Sequence, residues 1–141
     1  MRRAAVFVLS VAAWMCVLAG FSNAQGQGRG GGWTIPQTAA TEKSPLTVSD
    51  AVIANGKKVF TSKCERCHGT LGKGDGPDAD PQHKTDMDLT NATRARNNPD
   101  GVVFYKVRNG RSSPKMPAFS EELSREQVWS VVAYVQTLRG K

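Results

Sequence analysis

Five consecutive residues, Cys64-Glu65-Arg66-Cys67-His68, carry the clearest chemical pattern in the chain. The order C-x-x-C-H is the attachment pattern of a c-type haem, in which two thiols form thioethers and the histidine ligates the iron. Positions i, i+3 and i+4 share one face of a helical turn, so one flat macrocycle can meet both sulfurs and the imidazole together. We therefore interpret Cys64, Cys67 and His68 as the attachment site of one covalently bound haem c.

Two other interpretations of the cysteine pair remain open at this stage. A zinc site would need further ligands, and outside the pentapeptide the sequence offers only His83 and carboxylates as plausible ones. A thiol–disulfide oxidoreductase using Cys64 and Cys67 would not need His68, and no βαβ pattern surrounds the pair. The haem interpretation is favoured because it uses all three residues.

A haem held by one histidine leaves the opposite face of the iron to a second axial ligand. Met116 lies between Pro114 and Pro117, and the stiff backbone of the prolines would limit the freedom of its thioether. The other candidates are His83, Met87 and Cys16. His83 lies in a polar loop and Met87 lies between two aspartates, so Met116 is the predicted ligand. A purely packing role for Met116 in its loop is the alternative.

The N-terminus has the pattern of a secretory signal peptide. Two arginines precede an apolar run from Ala4 to Phe21, and Ser22-Asn23-Ala24 offers small residues for cleavage. We therefore assign residues 1–24 as a signal peptide and expect the protein in the bacterial periplasm. The run is just long enough for a membrane helix, so an uncleaved anchor in the inner membrane facing the periplasm is the alternative. Cys16 lies inside this segment and is interpreted as a small apolar residue.

The charge of the chain is moderately positive. Its formal net charge is +7, and loss of the signal segment would remove two arginines and no acid, leaving about +5. Such a charge suits transient docking to an acidic surface of a redox partner. The sequence contains no dense run of basic residues of the kind that would indicate nucleic-acid binding. The basic residues that flank the proposed haem elements are Lys57, Lys58, Lys63, Lys73, Lys106, Arg108, Arg111 and Lys115. A merely solvated basic surface is the alternative.

The remaining sequence divides into a leader and one domain. Residues 25–47 are rich in Gly, Pro and Thr and are predicted to be a flexible leader. The domain then covers residues 48–141, which is small for a purely apolar core. A bound haem would supply a large apolar centre, and the polar stretches 69–97 and 111–123 would wall its edges.

Three segments are predicted to be helical, and none has convincing strand alternation. The first starts at Ser49 and Asp50 and runs through Phe60 into the cysteine motif. The second starts with an Asn98 cap and Pro99 at the first helical position, and it stops at Asn109-Gly110. The third starts with a capping box from Ser124 to Gln127 and continues to Leu138, with Gly140 closing it. The predicted fold is all-α.

Residues 50–140 resemble the class I monohaem cytochromes c, in particular small bacterial ones related to oxidase-associated subunits. The motifs that carry the resemblance are Gly56-x-x-x-Phe60, Cys64-x-x-Cys67-His68, Gly72-Lys73-Gly74-Asp75-Gly76-Pro77, Asp88-Leu89-Thr90, Met116-Pro117-Ala118-Phe119, and a terminal helix with Trp129 and Tyr134.

The resemblance implies a small cytochrome c fold, in which three main helices and loops wrap one haem and the first and last helices cross. Gly56 and Phe60 would then face Val131 and Tyr134. The resemblance also implies that Met116 is the second axial ligand, and that the Pro77 carbonyl accepts a hydrogen bond from His68 Nδ1–H.

An iron closed by His68 and Met116 has no open position for a substrate, so the chain is expected to be a one-electron carrier and not an enzyme. It would shuttle electrons between exported or membrane-bound redox partners. Two alternatives keep the haem. One is a peroxidase or gas sensor from which Met116 dissociates, and the other is an electron-transfer subunit of a larger dehydrogenase or oxidase.

Overall fold

The computed structural model describes residues 32–139. The predicted signal peptide, Cys16 and Gly140 lie outside the described residues. The helices are α1 (Gln37–Thr41), α2 (Asp50–Lys63), α3 (Glu65–His68), α4 (Lys84–Met87), α5 (Ala92–Arg96), α6 (Asp100–Asn109) and α7 (Arg125–Leu138), with a 3₁₀ turn at Pro81–His83. Between residues 32 and 139 the only β pairing is two isolated bridges, so the all-α prediction is confirmed.

The three long helices α2, α6 and α7 match the three predicted segments, and their caps show why. The Ser49 hydroxyl accepts a hydrogen bond from the Val52 N–H at the start of α2. At the start of α7, Ser124 and Gln127 form both hydrogen bonds of a capping box. Each cap satisfies backbone N–H groups that have no partner within the helix.

The predicted cap of α6 is wrong. Pro99 occupies the N-cap position, with extended backbone, and α6 begins at Asp100. The Asn98 side chain turns instead to other partners: its Nδ2 donates to the Arg94 carbonyl at 2.6 Å, and its Oδ1 accepts from Lys106. An asparagine with strong partners elsewhere does not need to cap the helix that follows it.

The first and last long helices cross at a glycine, as the resemblance implies. A Cβ at Gly56 would lie 1.9 Å from the Ser130 carbonyl oxygen, so α2 and α7 approach more closely than any side chain allows. One turn later, Phe60 packs on Tyr134 with ring centroids 5.2 Å apart. The expected pairing of Phe60 with Tyr134 is therefore present, while Gly56 meets Ser130 in preference to Val131.

Helix α6 packs on the other side of α7 and completes the core. Phe104 stacks on Trp129 with ring centroids 4.1 Å apart and planes 15° from parallel. Val128 and Val132 are fully buried beside them. The apolar stripe of α7 is thus divided between α2 and α6, which accounts for its 3.6-residue period.

The expectation of a flexible leader fails for the part of it that the structure describes. Residues 37–41 form α1, which packs on α6 with Ala39 only 4% exposed. Leu46 packs against the core, and Glu42 forms an ion pair with Arg125. The folded unit therefore begins before residue 48. Composition did not indicate this because the contacts come from a few residues, Ala39, Glu42 and Leu46, in a segment otherwise rich in Pro and Thr.

Candidate functional site

A sharp turn from α2 into α3 positions the cysteine motif. Cys64 ends α2 and serves as the N-cap of α3, and its carbonyl accepts from the N–H groups of Cys67 (3.2 Å) and His68 (2.9 Å). The single helical turn that the spacing predicted is therefore present. Both thiols are free and partly buried.

An open cleft lies beside this turn, between α2, α6, α7 and the loop that follows α6. Its walls are mostly apolar, with a few polar and charged groups at the rim, as in many cofactor sites. Cys64, His68 and Met116 all line it, although Met116 lies 48 positions after His68 in the sequence. Cys67 is not among the lining residues and is partly exposed on the α3 turn. The apolar walls come from Phe60, Leu89, Ala95, Val103, Val107, Val131 and Val135.

The geometry of His68 leaves one ring nitrogen free to bind a metal. Nδ1 lies 2.7 Å from the Met87 carbonyl oxygen, which can only accept, so Nδ1 carries the proton and the Nε2 lone pair is available. Burial lowers the pKa of His68, and the hydrogen bond to Met87 opposes this only in part. The imidazole is thereby kept neutral, which is the form that binds iron.

The structure departs from the expectation that Pro77 supplies the acceptor for His68. Pro77 is exposed, and the next residue, Asp78, is held beside Arg66. Two side-chain contacts of 2.6 and 3.0 Å join Arg66 to Asp78, and the Asp78 N–H donates to the Arg66 carbonyl. These contacts fix the proline loop against α3, and Met87 takes the acceptor role. Met87 ends α4, where helix carbonyls have no partner within the helix. Sequence reasoning had no signal for this acceptor, because α4 was not among the predicted helices.

The loop after α6 is pinned so that Met116 lines the cleft. Arg111 and Met116 exchange two backbone hydrogen bonds of 2.8 and 2.9 Å, and the Phe119 N–H donates to the Val107 carbonyl of α6. The turn depends on Gly110, which has a φ of +58°. A Cβ there would lie 2.5 Å from the Met116 carbonyl oxygen. The loop is therefore held by backbone contacts as well as by the prolines that the sequence indicated.

The other candidates for a second ligand are placed elsewhere. His83 lies on the 3₁₀ turn, where its Nδ1 is 2.8 Å from an Asp80 carboxylate oxygen. Neither His83 nor the Met87 side chain is among the residues that line the cleft. Of the sulfur and imidazole groups within residues 32–139, those of Cys64, His68 and Met116 line it.

One edge of the cleft is strongly cationic, and sequence reasoning missed two of its members, Arg94 and Arg139. Both line the cleft together with Lys106. Asp86 lies 2.7 Å from Arg94, so that one cation is compensated. Lys106 and Arg139 both hydrogen-bond to the neutral side chain or backbone of Asn98. This edge therefore holds an excess of positive charge.

Burial lowers the pKa of Lys106 to about 8. Repulsion from Arg111, Arg94 and Arg139 adds to this shift, while Asp86 opposes it. A buried ammonium among guanidinium groups is costly unless an anion joins them. The cationic edge is thus suited to a ligand that carries carboxylates.

The cleft fits a haem on these grounds. An apolar macrocycle matches the valine and phenylalanine walls, and its two propionates match the cationic edge. The Nε of Arg139 is buried and, within the described part of the chain, has no hydrogen-bond partner, which is the kind of donor that a propionate could satisfy. Of the pattern C-x-x-C-H, Cys64 and His68 line the same cleft, and Cys67 lies on the adjoining α3 turn.

The two non-haem interpretations fit poorly. Residues 32–139 contain no group of three or more His, Cys, Asp or Glu side chains arranged to hold a metal ion, which disfavours zinc. Burial, with a smaller contribution from Cys67, raises the pKa of Cys64 to about 12. A thiol–disulfide oxidoreductase needs a thiolate near neutral pH, so Cys64 has the wrong environment for that chemistry.

Comparison with known proteins agrees with the geometry. The family model for cytochrome c matches residues 53–139. The chain is 30% identical over 94 residues to cytochrome c6 of Diacronema lutheri, covering 62% of this chain and 98% of that protein. It is 34% identical over 85 residues to cytochrome c6 of Parathermosynechococcus lividus, covering 60% and 88%.

Among solved structures, the chain is similar to a component of the Kuenenia stuttgartiensis reducing HAO-like protein complex, with a TM-score of 0.58 and 29% identity. The match covers 68% of this chain and about half of the other, 47%. Together with the paired cysteines and the cleft, these matches show that the chain belongs to the cytochrome c family: it is an electron-transfer protein similar to cytochromes c6, not an enzyme, and its cofactor is haem c bound covalently through Cys64 and Cys67.

Proposed function

We propose that this protein carries single electrons on one haem c whose iron is ligated by His68 and Met116. The observation that carries the proposal is the shared cleft: His68, with Nδ1 bonded to Met87, and Met116, on a pinned loop, both line it. Haem c supplies the one-electron chemistry when bound. The chain's own residues fix the tautomer of the His68 imidazole, hold the Met116 side chain in position and exclude water from the cleft.

Ligation on both faces explains why carriage is favoured over catalysis. A six-coordinate iron offers no site for oxygen, peroxide or carbon monoxide until a ligand leaves. A methionine ligand also raises the reduction potential relative to a second histidine. The peroxidase or gas-sensor alternative requires the Met116 thioether to dissociate easily, which the backbone contacts of its loop oppose.

The test is replacement of Met116 by Ala in the purified holoprotein. We expect loss of the long-wavelength sulfur–iron charge-transfer band of the oxidised protein and rapid carbon monoxide binding to the reduced protein. Met87→Leu is the matched control, because it removes a thioether but leaves the carbonyl that His68 uses. A band that survives in Met116→Ala and disappears in Met87→Leu would contradict the proposed ligand set.

We further propose that the protein works in the bacterial periplasm after removal of residues 1–24. The proposal is supported by the signal-peptide pattern of those residues. No helix formed within residues 32–139 is both long and apolar enough to cross a membrane. Mass spectrometry of the exported protein gives both the mature N-terminus and the added mass of haem. A mass that includes residues 1–24 would favour the anchored alternative.

The redox partners are proposed to bind transiently through acidic surfaces. The structure reduces the set of basic residues that could contact an acidic partner. Lys63 is paired with Glu122 at 2.7 Å, while Lys106 and Arg111 are withdrawn into the protein. Lys57, Lys58, Lys73 and Lys115 are exposed. Lys115 is next to Met116, and Lys73 forms a backbone bridge to Asp88 at the cleft.

A second candidate is service as the electron-transfer subunit of a larger complex. It is favoured by the similarity to a component of the reducing HAO-like protein complex. Size-exclusion chromatography of the protein from its native source distinguishes a free carrier from a subunit of a larger complex. Elution as a small monomer supports a free carrier, and co-elution of haem with larger subunits supports the subunit.

A further inference from the structure

Residues 33–46 lie before the part of the chain that matches the cytochrome c family, yet they pack on the domain. We call them the strap. Its helix α1 packs on the start of α6 at a glycine. A Cβ at Gly101 would lie 2.1 Å from the Ala39 carbonyl oxygen and 2.6 Å from that of Glu42. The strap can therefore adopt this position only because residue 101 has no side chain.

A second anchor ties the strap to the start of α7. Glu42 forms an ion pair with Arg125, whose guanidinium lies 4.7 Å from the centre of the Phe104 ring. Phe104 in turn stacks on Trp129 in the core. Leu46 packs against the same core. The strap is thus attached at several points that do not touch the haem cleft.

The N-terminal end of the strap reaches the cleft. Trp33 is partly buried and lines it. Lys106 Nζ lies 5.2 Å and Arg111 Cζ 5.1 Å from the centre of its ring, so the indole lies against two cations at once. These distances are within the range of cation–π attraction, which strengthens as the cations lose water.

We infer that the strap is part of the haem site, with Trp33 closing the cationic edge of the cleft against water. The inference rests on the proposed function only in that the haem occupies this cleft. An indole at this edge replaces water beside the propionate end of the haem. A less polar surrounding favours the reduced haem, which carries one positive charge fewer at the iron, so Trp33 should raise the midpoint potential.

The experiment uses the full-length holoprotein with Trp33→Ala, Gly101→Ala and the double variant. Trp33→Ala removes the indole, and Gly101→Ala displaces the strap without altering any cleft residue. We expect each single variant to shift the midpoint potential downward. The double variant should shift it no further than the larger single shift, because both changes remove the same contact. Gln37→Ala, an exposed change in the strap, is the matched control and should leave the potential at the wild-type value.

Nuclear magnetic resonance gives a second readout that does not depend on electron transfer. In the reduced protein the indole N–H of Trp33, assigned by its loss in Trp33→Phe, should be shifted by the haem ring current. The shift should collapse in Gly101→Ala. If Gly101→Ala fails to fold, Glu42→Gln weakens the other anchor and should reduce the shift.

Two outcomes separate the inference from the proposed function. A correct haem mass and low-spin spectrum, with a Trp33 resonance free of ring-current shift and an unchanged potential in Trp33→Ala, would overturn the strap inference alone. A chain that carries no haem on Cys64 and Cys67 would overturn the proposed function.

Discussion

Lys106 shows how one buried charge can adjust a redox centre. Three arginines, Arg94, Arg111 and Arg139, face it from α5, the loop after α6 and the end of α7, and they raise the cost of its positive charge. Asp86 is the nearby group that lowers this cost. The propionates of a bound haem would lower this cost further, whereas cover of Lys106 by the haem would raise it.

The midpoint potential of the holoprotein should therefore fall as pH rises above about 8. Reduction removes a positive charge from the iron, so the reduced state holds the Lys106 proton more tightly than the oxidised state. Lys106→Met should lower the potential at pH 7 and flatten its pH dependence. Voltammetry from pH 6 to 11 measures both effects. Lys115→Met, a change at an exposed lysine, should keep the wild-type slope, and an equal slope in all three proteins would assign the titration to another group.

At the level of elements, the haem site depends on how loops are tied to helices. The Met116 loop returns to α6 through the hydrogen bond from Phe119 to Val107 and turns at Gly110. Any side chain at Gly110 meets both an unfavourable φ and the backbone of the loop it serves. If Met116 ligates the iron as proposed, residue 110 therefore helps to set the strength of that ligation.

Gly110→Ala should weaken methionine ligation without removing the methionine. We expect about 1–3 kcal/mol lower stability of the loop and faster binding of cyanide to the oxidised protein. Stopped-flow cyanide binding measures the rate at which the sixth position opens. Ser112→Ala, at an exposed position of the same loop, should bind cyanide at the wild-type rate. If Gly110→Ala also bound cyanide at the wild-type rate, the turn at residue 110 would not control ligation by Met116.

The crossing of α2 and α7 is a second place where one added carbon atom, a Cβ at residue 56, should affect stability. Gly56→Ala would place a methyl group against the Ser130 carbonyl and should lower the free energy of unfolding by about 1–3 kcal/mol. Asn55→Ala, on the exposed side of the same helix, should change stability little or raise it slightly. Guanidinium unfolding of the holoprotein, followed by haem absorbance, compares the two. Equal stabilities would mean that the helices separate at no cost.

The elements differ in how far the sequence predicted them, and the reason is the range of the interactions. Helix α7 and its capping box were predictable because Ser124 and Gln127 act locally. The predicted Asn98 cap is wrong because the Asn98 side chain hydrogen-bonds to the Arg94 carbonyl and to Lys106, and these partners compete with the backbone of α6. The Pro77 carbonyl was expected as the acceptor for His68 only on the family resemblance. The Met87 carbonyl takes that role through tertiary folding, from 19 positions along the chain.

At the scale of the whole molecule, the distribution of charge should matter more for partner steering than the net charge. The formal charge of the full sequence is +7, but the structure divides the cations into three groups. Some line the cleft, some are paired at the surface, and some are exposed. Of the exposed lysines, Lys73 and Lys115 lie beside cleft residues, whereas Lys57 and Lys58 lie on α2 about two turns before Cys64. Steering of an acidic partner should depend on the first pair.

Two double variants with the same loss of charge test this division. Lys73→Gln/Lys115→Gln should slow oxidation of the reduced protein by hexacyanoferrate(III), a multivalent anion, by roughly three- to tenfold at low ionic strength. Lys57→Gln/Lys58→Gln should slow it less, because its charges act from a greater distance through water. The difference should vanish near 1 M salt, where the screening length is about 3 Å. Equal slowing by both pairs would mean that the anion responds to net charge alone, and the basic surface would then be merely solvated.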